Sequence, residues 1–219
     1  ALYCAGDSEL IVRNSTIMEN RAGFDGGALR LTGGSHRIFG SELLGNNANR
    51  GGAVFIEGDG FGTTFEMDEV VVMENTARGG DGGGIYAANT TLELRASRIV
   101  ANDSTGRGGG VRIINCPQVS AIGTAFMHNS ALYGGAFGSI GSTVEMTNSL
   151  LTNNKATTMS YSTGGAIFSS ADTLFLLTNC TIAGNEANDD GCGIFLADGD
   201  ASAAFDVVNT IVWNGIICD

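Results

Sequence analysis

The sequence is one phrase written over and over: an alternating apolar run, an apolar residue three positions before an asparagine, a short polar turn, then paired glycines leading into the next apolar run. The asparagines fall at Asn20, Asn46, Asn75, Asn102, Asn129, Asn154 and Asn185, with Asn214 in the last copy, at spacings of 25 to 31 residues. The glycine pairs track them at Gly26-Gly27, Gly51-Gly52, Gly82-Gly83, Gly108-Gly109, Gly134-Gly135 and Gly164-Gly165; after Gly191 the second place is taken by Cys192. A period in this range marks a stacked architecture, in which no unit buries its apolar side alone and neighbouring units build one continuous core.

Each unit reads as strand rather than helix. Leu10-Ile11-Val12, Phe65-Glu66-Met67, Leu92-Glu93-Leu94, Val144-Glu145-Met146 and Phe205-Asp206-Val207 are short, mostly alternating and rich in strand formers, while glycine and asparagine interrupt too often for helices. About three such strands fit in each repeat. With neighbouring strands about 4.8 Å apart, one repeat per rung gives a rod of roughly 40 Å. The expected fold is all-β, a single-stranded parallel β-helix solenoid of about eight coils of 25 to 31 residues, with 1–219 as one domain.

The glycines have a physical reason: after each polar turn the chain bends into the next strand under tight packing from the coils on either side, and glycine permits both positive φ and close backbone approach. A third small residue usually follows the pair, as at Ala28, Ala53, Gly84 and Gly110. The asparagines tolerate left-handed backbone, and each amide can bond the same amide one coil away, so a ladder is expected along the rod. A second, broken ladder is expected through Asn14, Asn148, Asn179 and Asn209, whose place is held elsewhere by Gly40, Glu69, Ala96 and Gly123. Loops are expected at 155–163, at Glu57-Gly58-Asp59-Gly60-Phe61-Gly62 and at Asp198-Gly199-Asp200, where binding residues tend to gather on such scaffolds.

With 43% hydrophobic residues the chain can bury a substantial core, and a net charge of -12 disfavours nucleic acid and anionic membranes as partners. No apolar run is long enough to span a membrane, and no signal-peptide pattern is present. The first residue is alanine, which suggests a processed or excised piece. Ala1-Leu2-Tyr3 aligns with Ala28-Leu29-Arg30, and neither end carries a polar cap, so further coils or caps are expected to flank it, with head-to-tail stacking of open ends as the alternative. The cysteines Cys4, Cys116, Cys180, Cys192 and Cys218 lack metal-ligand spacing. Their odd number leaves a buried free thiol or an outside partner open, and a Cys180–Cys192 bond across a corner is one hypothesis.

Gly164-Gly165-Ala166-Ile167, Gly26-Gly27-Ala28-Leu29 and Phe126-Met127-His128-Asn129 resemble the GGA[IL] and FxxN motifs of the chlamydial polymorphic outer membrane protein repeats, over nearly the whole chain. One copy has the literal phenylalanine; others read Ile17-Met18-Glu19-Asn20, Leu43-Leu44-Gly45-Asn46 and Val72-Met73-Glu74-Asn75. Asn179-Cys180-Thr181-Ile182-Ala183-Gly184-Asn185 also looks like the broader pectin-lyase-like repeats of secreted and cell-surface proteins. These resemblances imply a right-handed β-helix, and the chlamydial one implies a surface-exposed adhesin passenger.

The fold implied by that resemblance is also used by polysaccharide lyases and hydrolases, whose chemistry needs placed carboxylates, or acidic calcium ligands beside an arginine base. The GHG turn and RIK segment of polygalacturonase-like sites are missing. Asp189-Asp190 reads as a solvated turn. Asp25, Arg50, Arg78, Asp81 and Arg107 recur near one turn and predict a charged stripe, catalytic or simply salt-bridged. Asp198-Gly199-Asp200 offers two oxygens at alternate positions to a structural calcium ion, but the repeat that binds calcium in other β-helices is absent and a structural turn is the preferred reading. His36 and His128 lie about three coils apart and are given no shared role. Asn14, Asn89, Asn102 and Asn179 begin glycosylation sequons, with Asn89 in an expected loop.

No catalytic residue, metal site or cofactor is assigned. The expected function is a non-catalytic extracellular or cell-surface solenoid, structural or adhesive, that binds a surface, a glycan, another protein or its own copies. The alternative is a carbohydrate-active enzyme, either polysaccharide lyase or glycoside hydrolase, which predicts three or more acidic residues with an arginine or lysine on one face of adjacent coils. An ice-binding surface ranks last, since Thr63-Thr64, Thr90-Thr91 and Thr157-Thr158 do not read as one coil position.

Overall fold

The apolar alternation of each repeat becomes a rung of short strands in the computed structural model, which describes residues 1–59, 62–156, 161–197 and 204–213. One rung runs Leu29–Thr32, Ser35–Phe39, Glu42–Leu44 and Asn47–Ala48, and the next repeats it at Val54–Glu57, Thr64–Asp68, Val71–Met73 and Thr76–Ala77. Like strands stack on like, always parallel, into three sheets of eight strands and a fourth of six. Among the described residues there is no helix. The chain is therefore a parallel β-solenoid.

The fourth sheet exceeds the three strands per coil expected from pattern. Its members are pairs such as Thr76–Ala77 and Asp103–Ser104, too short to show a period of two, yet they place Ala48, Ala77, Ser104, Ala131 and Ala156 inside the rod. Small side chains there let the glycine corner close over them.

Alternate residues of the longer strands point inward and stack in columns. Leu43, Val72, Ile99, Phe126, Leu151 and Ile182 form one such column, all buried. Phe126, Phe137 and Phe175 meet edge to face, with ring centroids 5.9 Å apart. Each fully buried large side chain stabilises by about 1.5–3 kcal/mol, so the continuous core is the main stabilising term. His36 lies in this interior, its Nε2 2.7 Å from the Gly33 carbonyl oxygen, whereas His128 sits on an outer corner with φ +56°.

The two reasons for glycine divide between the members of each pair. Gly51, the first, has φ +60°, while a Cβ built on Gly52, the second, lies 2.1 Å from the Gly83 carbonyl oxygen of the next coil. Gly26, Gly82, Gly108, Gly134, Gly164 and Gly191 repeat the first case, and Gly27, Gly83, Gly109, Gly135 and Gly165 the second. The asparagine expectation needs correction in one respect. None of the ladder residues from Asn20 to Asn185 has positive φ; the left-handed residue is the one before, as at Glu19, Glu74, Ala101, His128 and Asn153. The turn thus precedes the asparagine and leaves it extended, aimed into the rod.

Candidate functional site

The asparagine column forms an unbroken chain of side-chain bonds. Asn46 Nδ2 donates to Asn75 Oδ1 at 3.0 Å, Asn75 to Asn102 at 2.9 Å, and Asn102 to Asn129, Asn129 to Asn154 and Asn154 to Asn185 at 3.0 Å each. Asn20 joins at the start through Asn46 Oδ1. Each oxygen also accepts the backbone N–H of the preceding ladder residue, and each Nδ2 donates to a carbonyl as well, as Asn75 does to Leu43. From Asn46 to Asn154 every amide donor and acceptor site is used inside the protein. Asn214 lies outside the described residues.

The second asparagine column works differently. Asn14, Gly40, Glu69, Ala96, Gly123, Asn148, Asn179 and Asn209 all have φ between +44° and +59°, so this position selects a backbone conformation rather than an amide. Asn179 and Asn209 are linked, Asn209 Nδ2 donating at 2.6 Å. The residue that follows carries a hydroxyl ladder that the period did not single out. Ser41 Oγ accepts the N–H of Ser15, Ser97 that of Val70, Ser149 that of Thr124 and Thr210 that of Cys180. A serine or threonine directly after most of the left-handed residues, with Val70 and Cys180 as the exceptions, was the available signal.

Free thiols occupy this kind of place. Cys180 stands in the hydroxyl column, and Cys116 takes an equivalent role at another corner, its N–H donating to Ser142 Oγ. Cys4, Cys116 and Cys180 are free, whereas Cys192 is disulfide-bonded. That corrects the Cys180–Cys192 hypothesis: the first faces the interior and the second sits at the glycine corner. Cys218 lies outside the described residues. Burial pushes the Cys116 thiol up from its ordinary value.

The charged stripe exists and is sharper than the sequence implied. The residues just before the first glycines form one column, Asp25, Arg50, Asp81, Arg107, Tyr133, Thr163 and Asp190, because each following glycine N–H donates to the next member's carbonyl. Arg78 falls outside it. Arg50 grips Asp25 with two bonds, Nε to Oδ1 at 3.0 Å and Nη2 to Oδ2 at 2.8 Å, and hydrogen bonding to Asp25 raises its pKa.

This column leans over the outward side of the first sheet. There Tyr3, Arg30, Phe55, Tyr86, Arg112, Gly138, Phe168 and Phe195 stand in register. Phe55 and Tyr86 stack at 5.0 Å, and Arg50 lies across both, 4.8 and 5.1 Å from their centroids. Phe55 is fully buried although it points away from the core. Arg112, buried on the rung next to Tyr86, has Nε 3.4 Å from Asp81 Oδ2 but without hydrogen-bond geometry, and burial pushes its pKa down. Arg107 continues the pattern over Tyr133.

A second charged group lies on the outward side of the second sheet. Glu66 and Glu93 occupy neighbouring rungs of one column, Asp68 and Arg95 those of the next, and Arg37 precedes Glu66. Arg37 Nε is 3.6 Å from Glu66 Oε2, and Arg95 pairs with Glu93. Three carboxylates and two arginines thus share one face of adjacent coils. Beside them Ser35, Thr64 and Thr91 align at a single position, and Thr63 with Thr90, so two threonine pairs that had read as scattered are in register. Thr157 and Thr158 lie outside the described residues.

The remaining expectations divide by location. Asp189 and Asp190 sit in the polar turn, Asp190 exposed. Asp198, Gly199 and Asp200 lie outside the described residues, as do Gly60 and Phe61. Among the described residues there is no group of three or more His, Cys, Asp or Glu side chains able to hold a metal ion, and no helix long and apolar enough to cross a membrane. Of the sequons, Asn102 is buried in the ladder, whereas Asn14, Asn89 and Asn179 are exposed.

Stacked parallel sheets with an internal asparagine ladder and glycine corners define the class of parallel β-helix proteins. The chain belongs to the right-handed β-helix family, whose model, described as a right handed beta helix region, matches residues 1–175. No curated protein and no solved structure gives a significant match.

Proposed function

We propose that the protein is a non-catalytic structural or adhesive solenoid of the cell surface or extracellular space, which presents its outer faces to a protein or glycan surface and needs no cofactor. The observation that carries this reading is the Asp25–Arg50 pair laid across Phe55 and Tyr86. In that stripe the charge is spent on fastening a corner to a sheet, where a catalytic carboxylate has to be free for substrate. The disulfide at Cys192 fits an oxidising compartment, and the likeness to surface-exposed adhesin repeats points the same way.

The second reading, a carbohydrate-active enzyme, is favoured by Glu66, Asp68 and Glu93 with Arg37 and Arg95 on one face, the pattern such an enzyme requires. The rungs that carry Glu66 and Glu93 are about 4.8 Å apart, close to the carboxylate separation of retaining glycosidases. One experiment separates the two readings. The protein is incubated with polygalacturonate and other acidic polysaccharides while unsaturated uronide absorbance and new reducing ends are followed, and its binding to immobilised glycans and cell-surface proteins is measured in parallel. Saturable binding without turnover is expected. Turnover abolished by Glu93→Gln overturns the scaffold reading and establishes the enzyme.

A further inference from the structure

The outward side of the third sheet carries a continuous apolar column. Met18, Leu44, Met73, Val100 and Met127 stand in one column across five successive rungs. The column two residues earlier runs Thr16, Glu42, Val71, Arg98 and Ala125 in the same register. Glu42 and Arg98 are both exposed and lie one rung either side of Val71, about 9.6 Å apart along the axis at the spacing of paired strands.

That placement is self-complementary. Two copies packed face to face, with rods antiparallel and a twofold axis along the Val71–Met73 strand, keep each column opposite itself and reverse the order of the rungs. Glu42 then meets Arg98 of the second copy, and Arg98 meets its Glu42. In the apolar column Met73 meets Met73, Leu44 meets Val100 and Met18 meets Met127. In the corner column beyond, Glu19 comes opposite His128. Placing the twofold axis along the rod instead sets Glu42 against Leu44 and buries a charge against an apolar side chain, which is unfavourable.

We propose that this face is an isologous interface between two copies of the chain, centred on Val71 and Met73 and set in register by two Glu42–Arg98 pairs. The patch is small. Five rungs and the flanking corners cover about 400 Å² per copy, half the usual 800 Å². Glu69 and Glu74, exposed at the two margins, face their own images and oppose association. The dimer is accordingly weak and fast. It goes beyond the scaffold reading and stands or falls separately: catalytic turnover leaves it intact, and its failure leaves the scaffold intact.

Sedimentation equilibrium of the whole chain tests it, with Arg98→Glu and the double swap Glu42→Arg/Arg98→Glu. Both side chains are on the surface, and matching circular dichroism melts establish that the variants fold. The wild-type chain is expected to dimerise with a Kd of about 0.1 mM, Arg98→Glu to weaken this at least about tenfold, and the double swap to restore it. A chain that stays monomeric at about 1 mM overturns the proposal and leaves the face to a partner of another kind. A dimer indifferent to Arg98→Glu, or not rescued by the swap, also overturns it.

Discussion

Asn75 Nδ2 donates to Asn102 Oδ1 at 2.9 Å across one coil, while Asn75 Oδ1 receives both the backbone N–H and the side chain of Asn46. A fully buried amide with every site used is stabilising only as a whole, since removing it strands its partners away from water. Asn75→Ala is expected to cost about 3 to 5 kcal/mol by denaturant unfolding. Asn20→Ala, at the half-exposed start of the ladder, is expected to cost about 1 kcal/mol or less. Equal losses at the two positions would contradict a cooperative ladder.

Gly52 and Gly23 give a matched pair of glycine substitutions. A Cβ at Gly52 meets the Gly83 carbonyl oxygen at 2.1 Å and the Thr76 nitrogen at 2.6 Å, both backbone, whereas nothing lies within 4 Å of one at Gly23. Gly52→Ala is expected to destabilise by more than about 3 kcal/mol, and Gly23→Ala to be neutral within about 0.5 kcal/mol. Thermal melts of the two variants decide it.

Cys116 is buried, and its pKa is raised by desolvation. The unfolded thiol therefore loses its proton at lower pH than the folded one. The stability it contributes is complete below the ordinary thiol value of 9.0 and is lost as pH rises through the folded value. Tyr86, raised chiefly by burial, acts in the same direction from 10.0 upward. Unfolding free energy is expected to fall from about pH 9 upward, less steeply in Cys116→Ser. Cys116 is also expected to resist alkylation at pH 8 until denaturant is added; rapid labelling of the native chain at this residue would contradict its placement.

The repeat, the strand character and the buried asparagine column were legible in the sequence because burial imposes one residue type at one place in every coil, and the second column because its left-handed backbone favours asparagine and glycine. Asn46, Asn75 and Asn102 repeat because the interior admits nothing else there, and Gly51-Gly52 because backbone crowds both. What was not legible is what varies. The fourth sheet is hidden because pairs such as Thr76–Ala77 are too short to have a period. The hydroxyl ladder was missed because serine, threonine, cysteine and valine all occupy its position, so no single letter recurs. Arg50 and Arg78 both stand near the same turn in the sequence; only register shows that Arg50 lies over Phe55 while Arg78 stands three residues before the Asp81 position of the column. Thr64 and Thr91 align only once the unequal distances from Glu57 to Thr64 and from Ala88 to Thr91 are allowed for.

The central claim is that the charged stripe fastens the rod rather than performing chemistry, and a double-mutant cycle on Asp25→Asn and Arg50→Gln tests it most directly. If the pair locks the corner over Phe55 and Tyr86, unfolding free energies should show a coupling of about 1 kcal/mol or more, as bidentate pairs over aromatic rings do. Additive, negligible losses of stability accompanied by loss of a polysaccharide-cleaving activity would contradict the account.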